Sequence, residues 1–204
     1  AICCCPGFVA ERIVAGRWPQ DVRPPLDYAP WAVANVRVHL DVDTSLPSPN
    51  RRGVSVPLAW DNVIQGGRSL GYVHAQHQDL AMASATAHLT WYRPMDDGDP
   101  AAGRRELLRR THAQWCDEIV ADMARAHPNF ADQVERVDVW RWGHGMAIPQ
   151  PGSVWADSRL AAAKPLGNIH FAHSDLTGIS VFEEAQFHGV RAAEEALAKQ
   201  NSGA

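Results

Sequence analysis

The chain has 204 residues, of which 46% are hydrophobic and 21% charged, the balance of a globular protein and not of a disordered, collagenous or coiled-coil one. Nineteen basic residues against 23 acidic ones leave a net charge of −4. With no long run of one sign, neither nucleic acid nor an anionic membrane surface is indicated as a partner. No uninterrupted apolar stretch approaches the roughly 18 residues of a membrane-spanning helix.

Eight Trp residues point to aromatic-lined surfaces or a pocket, because Trp is large, rigid and amphipathic. Cys3, Cys4 and Cys5 are adjacent and Cys116 is distant. Neighbouring cysteines on a strand face opposite ways and do not pair with ordinary geometry. No disulfide framework or CxxC zinc pair is present, so the expectation is buried thiols in a reducing, cytoplasmic compartment.

The chain opens on Ala1, and Ile2 to Cys5 already reads as a buried strand. The expectation is that the sequence begins inside a longer gene product. Pro6 ends the strand, Gly7 to Ala15 makes a short helix, and the proline-rich stretch from Trp18 to Pro30 is a loop. Val36, Val38, Leu40 and Val42 then alternate with Arg37, His39, Asp41 and Asp43. That period of two predicts a half-buried antiparallel strand. Ser45 to Gly53 reads as loop, Val54 to Trp60 as strand, and Asn62 to Leu70, with Gly66-Gly67, as a hairpin-like link. Gly71 to His77 and Thr86 to Arg93 carry strand composition.

Asp99 is a candidate N-cap with Pro100 at the first helical position. From there to Ala126 the period is helical, with Leu107, Leu108, Thr111, Trp115, Ile119, Val120 and Met123 on one stripe. This predicts one long helix covering a sheet. Asp132 to Glu135 adds a turn, Val137 to Trp142 a strand, and Gly143 to Lys164 is read as loop. Asn168 to His173 predicts a short strand. A final helix runs from about Val181 to Lys199, with Phe182, Ala185, Gln186, Gly189, Val190, Ala193 and Leu197 on the packed side.

The strand, polar turn and helix from Asn168 to Leu197 are the most informative stretch. Ser180 and Glu183 have capping-box spacing. A helix start offers free N–H groups and the positive end of its dipole, which stabilises charge developing on an electron-accepting ring. Asp175, just past the strand, suits hydrogen bonds from sugar-like hydroxyls. An ordinary capped strand-to-helix connection fits the same residues.

The segment IHFAHSDLTGISVFEEAQFHGVRAAEEAL resembles the C-terminal part of FAD-dependent amine oxidases and of the related protoporphyrinogen oxidases and carotenoid desaturases. VDVWRWGHGMAIPQPG is similar to the family segment just upstream, and AICCCPGFVAERIV to the exit from the FAD domain. The chain most resembles a bacterial branch of that superfamily. The resemblance implies an α+β fold: a mixed, largely antiparallel substrate-domain sheet with a covering helix, then a strand–turn–helix completing an FAD-binding domain of the two-dinucleotide-binding-domain type. It implies residues 1–15 as exit segment, 16–142 as substrate domain and 143–204 as return segment.

By the same resemblance, Asp175 binds the ribityl chain of FAD. Ser174, Gly178, Ile179, Ser180, Val181 and Phe182 lie along the cofactor, and Trp142 lies at the flavin face. Asp175 sits in a turn, so its replacement is expected to leave the fold largely intact. The family often has Gly-Glu or Gly-Asp where this chain has Ser174-Asp175, preceded by His173. Many amine oxidases carry a Lys where this chain has Trp60-Asp61-Asn62, which sets amine oxidation specifically in doubt. No strand–GxGxxG–helix unit is present, and Gly66 to Gly71 only approximates that spacing. The expected partners are therefore a small organic substrate and an N-terminal FAD-binding half.

His144 lies between Gly143 and Gly145, which would let its ring approach a ligand for proton transfer. Trp60 and Trp91, with Asn62, are the candidate substrate-binding residues, although plain core packing also explains a tryptophan. His74 with His77, and His170 with His173, have a spacing that puts strand side chains on opposite faces, so no metal is expected. A non-catalytic α+β binding module and, less favoured, a metal-dependent hydrolase remain as alternatives. No GxSxG or HExxH supports the latter.

Overall fold

A computed structural model describes residues 1–14, 26–39, 45–47, 55–57, 59–74 and 86–202. The chain divides into two compact units, residues 1–28 with 146–204, and residues 29–145. The fold is mixed α+β.

In the first unit, β1 (Ile2–Cys3) pairs in parallel with β9 (His170–Phe171), with Ile2 opposite His170 and Cys3 opposite Phe171. Parallel strands need a connection through other structure, and here the whole of the second unit lies between them in sequence. Pro6 opens α1 (Gly7–Ile13), where its missing N–H costs nothing. Ala10 and Val14 pack with Ala162 of α5 (Asp157–Ala162), Phe171 and Leu176 in a small core. The expectation of buried cysteines fails. Cys4 is exposed, and Cys3, Cys5 and Cys116 are only partly covered. The strand is two residues long, so Cys4 and Cys5 lie beyond its pairing.

The second unit holds a five-stranded sheet in the order β5-β6-β7-β2-β8. Its strands are β2 (Asp27–His39), β5 (Asp61–Asn62), β6 (Gly71–His74), β7 (Thr86–Pro94) and β8 (Val134–Ile148). A separate antiparallel pair joins β3 (Ser45–Pro47) to β4 (Ser55–Pro57). In β2 the alternation puts Ala32, Ala34, Val36 and Val38 in the core, while Leu40 and Val42 lie outside the described residues. The strand starts at Asp27 and includes Pro30, which had read as loop. Pro30 lacks a donor but still accepts from the Met95 amide at 2.8 Å. The link from Asn62 to Leu70 joins antiparallel β5 and β6, as its glycines suggest.

The long covering helix is two: α2 (Pro100–Arg109) and α3 (His112–Met123). Asp99 caps the first, accepting from Ala101 and Ala102. Thr111 starts the second with a complete capping box to Gln114. A capping threonine in the extended conformation interrupts the helix while the apolar stripe continues across the break. Leu107, Trp115, Ile119, Met123 and Phe130, the last in α4 (Phe130–Gln133), pack on Tyr72, Leu89 and Trp91. Gly143 to Ile148 also differs from the loop reading, since both glycines are absorbed into β8.

The last helix, α6 (Phe182–Ser202), packs differently from its apolar pattern. His188 and Ala192 are buried, whereas Phe182, Phe187, Val190 and Leu197 are 75%, 61%, 53% and 59% exposed. Its covered side is polar because Arg191 binds the Phe171 and Ala163 carbonyls at 2.6 and 3.1 Å, which fixes the helix rotation.

Candidate functional site

The backbone after β9 stays extended through His173, then makes a single 3-10 turn at Ser174–Leu176. Gly178 takes a left-handed φ of 79°, and its amide donates back to the Ser174 and Asp175 carbonyls at 3.1 Å each. A residue with a Cβ pays to adopt that conformation. Leu176 anchors the turn in the small core.

Asp175 is consequently buried rather than exposed in a turn. Its Oδ2 accepts from the Gly7 amide at 2.7 Å and from the Tyr28 hydroxyl at 2.5 Å. Its Oδ1 accepts from no described residue. Beside it lies a cavity of about 480 Å³ lined by Cys4, Pro6, His173, Asp175, Phe182 and Gln186, among others. Ser174 is also on this wall, while Gly178, Ile179, Ser180 and Val181 are not. The Ser180–Glu183 capping box does not form. The Ser180 hydroxyl accepts from the Ala147 amide at 2.9 Å, and the helix begins after Val181. Glu183 and Glu184 in the first turn offset the positive end of the α6 dipole.

Behind the cavity wall runs a closed polar network. Thr177 donates to Glu184 Oε2 at 2.7 Å and contacts His188 Nε2 at 2.8 Å. A hydroxyl has one proton, so His188 donates from Nε2 and accepts at Nδ1 from Arg191. Burial, then the Arg191 charge, push the His188 pKa down to about 4. Arg191 and His170 both hold Glu195, at 2.6 and 3.1 Å. His173 has no such partner among the described residues: it is 6% exposed, and both ring nitrogens are buried without a hydrogen bond to any of them. Burial holds its pKa below the ordinary histidine value despite the Asp175 charge.

The remaining sequence candidates belong to the second unit. Trp91 is fully buried, and its indole donates to Asp122 Oδ2 at 3.0 Å, so it presents no surface to a small molecule. The Asn62 amide is engaged with the Ala59 backbone at both ends. Trp60 is 50% and Trp142 54% exposed, and His144 is exposed on β8. On the sheet face away from the helices, Trp31 stacks on Tyr92 with ring centres 6.2 Å apart. His77 lies outside the described residues. No helix among the described residues is long and apolar enough to cross a membrane.

Tyr28, Gly7 and His173 were not predicted as site residues. His173 had one visible signal, its place directly before the Ser174-Asp175 pair that departs from the resembled family's Gly-acid pattern. Tyr28 had none, because its distance from Asp175 in sequence hides the contact.

No family model matches the sequence, and no curated protein matches it with significance. Among solved structures, the chain is similar to a putrescine oxidase redesigned in its cofactor binding, with TM-score 0.55, 13% identity, and 88% of this chain covering 38% of that one. It is also similar to a protein from Exiguobacterium sp. 255-15 provisionally named a protoporphyrinogen oxidase, with TM-score 0.57, 11% identity, and 95% of this chain covering 41% of that one. At these identities the likeness is one of fold, and the chain spans about two fifths of each neighbour's length.

Proposed function

We propose that this chain is the C-terminal part of an FAD-dependent oxidoreductase of the amine oxidase type, acting on a small organic substrate. The observation that supports it best is the Asp175 wall. Asp175, whose Oδ1 accepts from no described residue, lines a cavity that the first turn of a 21-residue helix also lines. The fold likeness to two oxidases supports the same reading.

The residues present fit the group. Asp175 Oδ1 would accept from a ribityl hydroxyl while Oδ2 stays locked to Gly7 and Tyr28. Ser174 and Phe182 line the same cavity, and Gly178 to Val181 would run along the cofactor. Bound FAD would supply the acceptor for two electrons. Residues 16–142 would form the substrate domain, with Trp60 and Asn62 toward the substrate, Trp142 at the flavin face, and His144 holding or releasing a proton. Residues 1–15 and 143–204 would complete the cofactor domain together with a GxGxxG-bearing half.

The full-length protein should purify yellow, with flavin absorbance bleached by reduction. Asp175→Ala should weaken FAD binding about tenfold to a hundredfold, since a charge-assisted hydrogen bond of about 1.5–3 kcal/mol is lost. Trp142→Ala should keep the flavin and alter its spectrum or turnover. A colourless full-length protein that takes up no FAD on addition would overturn the reading.

A further inference from the structure

The His173 imidazole is the one buried polar side chain on the cavity wall left without a partner. Its φ of −152° and ψ of 156° continue the strand, which sets the residue between the cavity and the polar side of α6. Both ring nitrogens are closed off from solvent and bonded to none of the described residues. Native structures rarely leave such groups orphaned, and an orphan calls for a partner. His188, two turns along the network, shows the contrast: each of its nitrogens is engaged. The wall therefore holds Asp175, whose Oδ1 accepts from no described residue, and a neutral imidazole carrying one donor and one acceptor.

We infer that His173 is a ligand-contacting residue that reads a second hydroxyl next to the one bound by Asp175. The torsion that turns a histidine ring is soft, so a small rotation brings one nitrogen to the cavity surface when a hydroxyl is there to meet it. A chain of adjacent hydroxyls satisfies both groups at once. A ligand with a single hydroxyl leaves the ring orphaned. This rests on the functional reading above and deepens it: the cavity selects the polyhydroxyl linker of the cofactor, not its ring.

The test uses the full-length protein stripped of flavin, titrated with FAD and with lumiflavin, which has the ring and no hydroxyl chain. His173→Phe keeps the ring volume and removes both nitrogens. It should raise the FAD dissociation constant about tenfold and leave lumiflavin unchanged. The melting temperature of the flavin-free protein should stay level or rise, because an unpartnered polar group has been removed. His173→Asn, which keeps a donor and an acceptor, should recover part of the FAD affinity. In ¹⁵N-histidine-labelled protein, one imidazole resonance absent from His173→Phe should shift on FAD binding and not on lumiflavin binding. Unchanged FAD affinity in His173→Phe, or equal weakening of both ligands, overturns the inference. If Asp175→Ala also leaves FAD affinity unchanged, the functional reading falls with it.

Discussion

The Tyr28 hydroxyl donates to Asp175 Oδ2, tying the start of β2 to the turn that follows β9 across 147 residues of sequence. The Gly7 amide donates to the same oxygen, so one carboxylate atom joins three segments. An acid in this position is structural. Replacing it therefore disturbs the fold, contrary to what its place in a turn suggests.

Asp175→Ala should lower stability by about 3 kcal/mol, since it removes the acceptor shared by the Gly7 amide and the Tyr28 hydroxyl. Tyr28→Phe removes one donor and should cost about 1.5 kcal/mol. Urea unfolding of both variants checks the ranking. If Asp175→Ala melts like the parent, the carboxylate is not holding the segments together.

Acid should loosen the first unit through His188. Its folded pKa of about 4 lies below the ordinary histidine value of 6.5. Between those values the unfolded chain binds the extra proton, so stability rises with pH across that window. The contribution is complete above about 6.5 and is lost as pH falls toward 4. A proton on Nδ1 would face Arg191 directly, with Glu184 as the nearby opposing charge. His173, also held neutral by burial, adds in the same direction. His188→Gln should flatten the stability profile between pH 4 and 6.5, measured by urea midpoints at fixed ionic strength.

In the second unit, Glu118 lies between Arg93 and Arg110 and bonds both. Arg93 is 2% exposed. Glu118→Ala leaves that guanidinium buried, with only Asp97, at 3.8 Å, in ion-pair reach among the described residues. A loss of about 3 kcal/mol or more is expected, as for other broken buried pairs. Combining Glu118→Ala with Arg93→Met should recover much of the loss, and a double-mutant cycle by chemical denaturation measures the coupling.

Gly71 and Gly98 both have positive φ, 127° and 140°. A Cβ on Gly71 would sit 1.8 Å from the Asn62 carbonyl oxygen, whereas one on Gly98 meets nothing within 4 Å. Gly71→Ala should therefore cost about 3 kcal/mol or more and disrupt the β5–β6 hairpin that carries Asp61 and Asn62. Gly98→Ala should cost only the backbone penalty of about 1–2 kcal/mol. Comparable melting temperatures for the two would show that the hairpin gives way around the methyl group.

Period and capping, where they agree, fix the local elements. The alternation at Val36 and Val38, the Asp99–Pro100 helix start and the strand–turn–helix around Asp175 are all present as read, because backbone geometry alone sets those periods. The sequence also carried the α+β class. The tertiary structure decided what local patterns cannot encode. Thr111 closed its capping box and split the covering helix. Arg191 reached two backbone carbonyls and turned the polar side of α6 inward, against the apolar pattern. Trp91 found Asp122 and became core. Asp175 met Gly7 and Tyr28, and His173 was left beneath the cavity with no partner. Each of these depends on hydrogen bonds between residues far apart in the chain. Such pairings follow from which segments fold against one another, and no periodicity in the sequence records them.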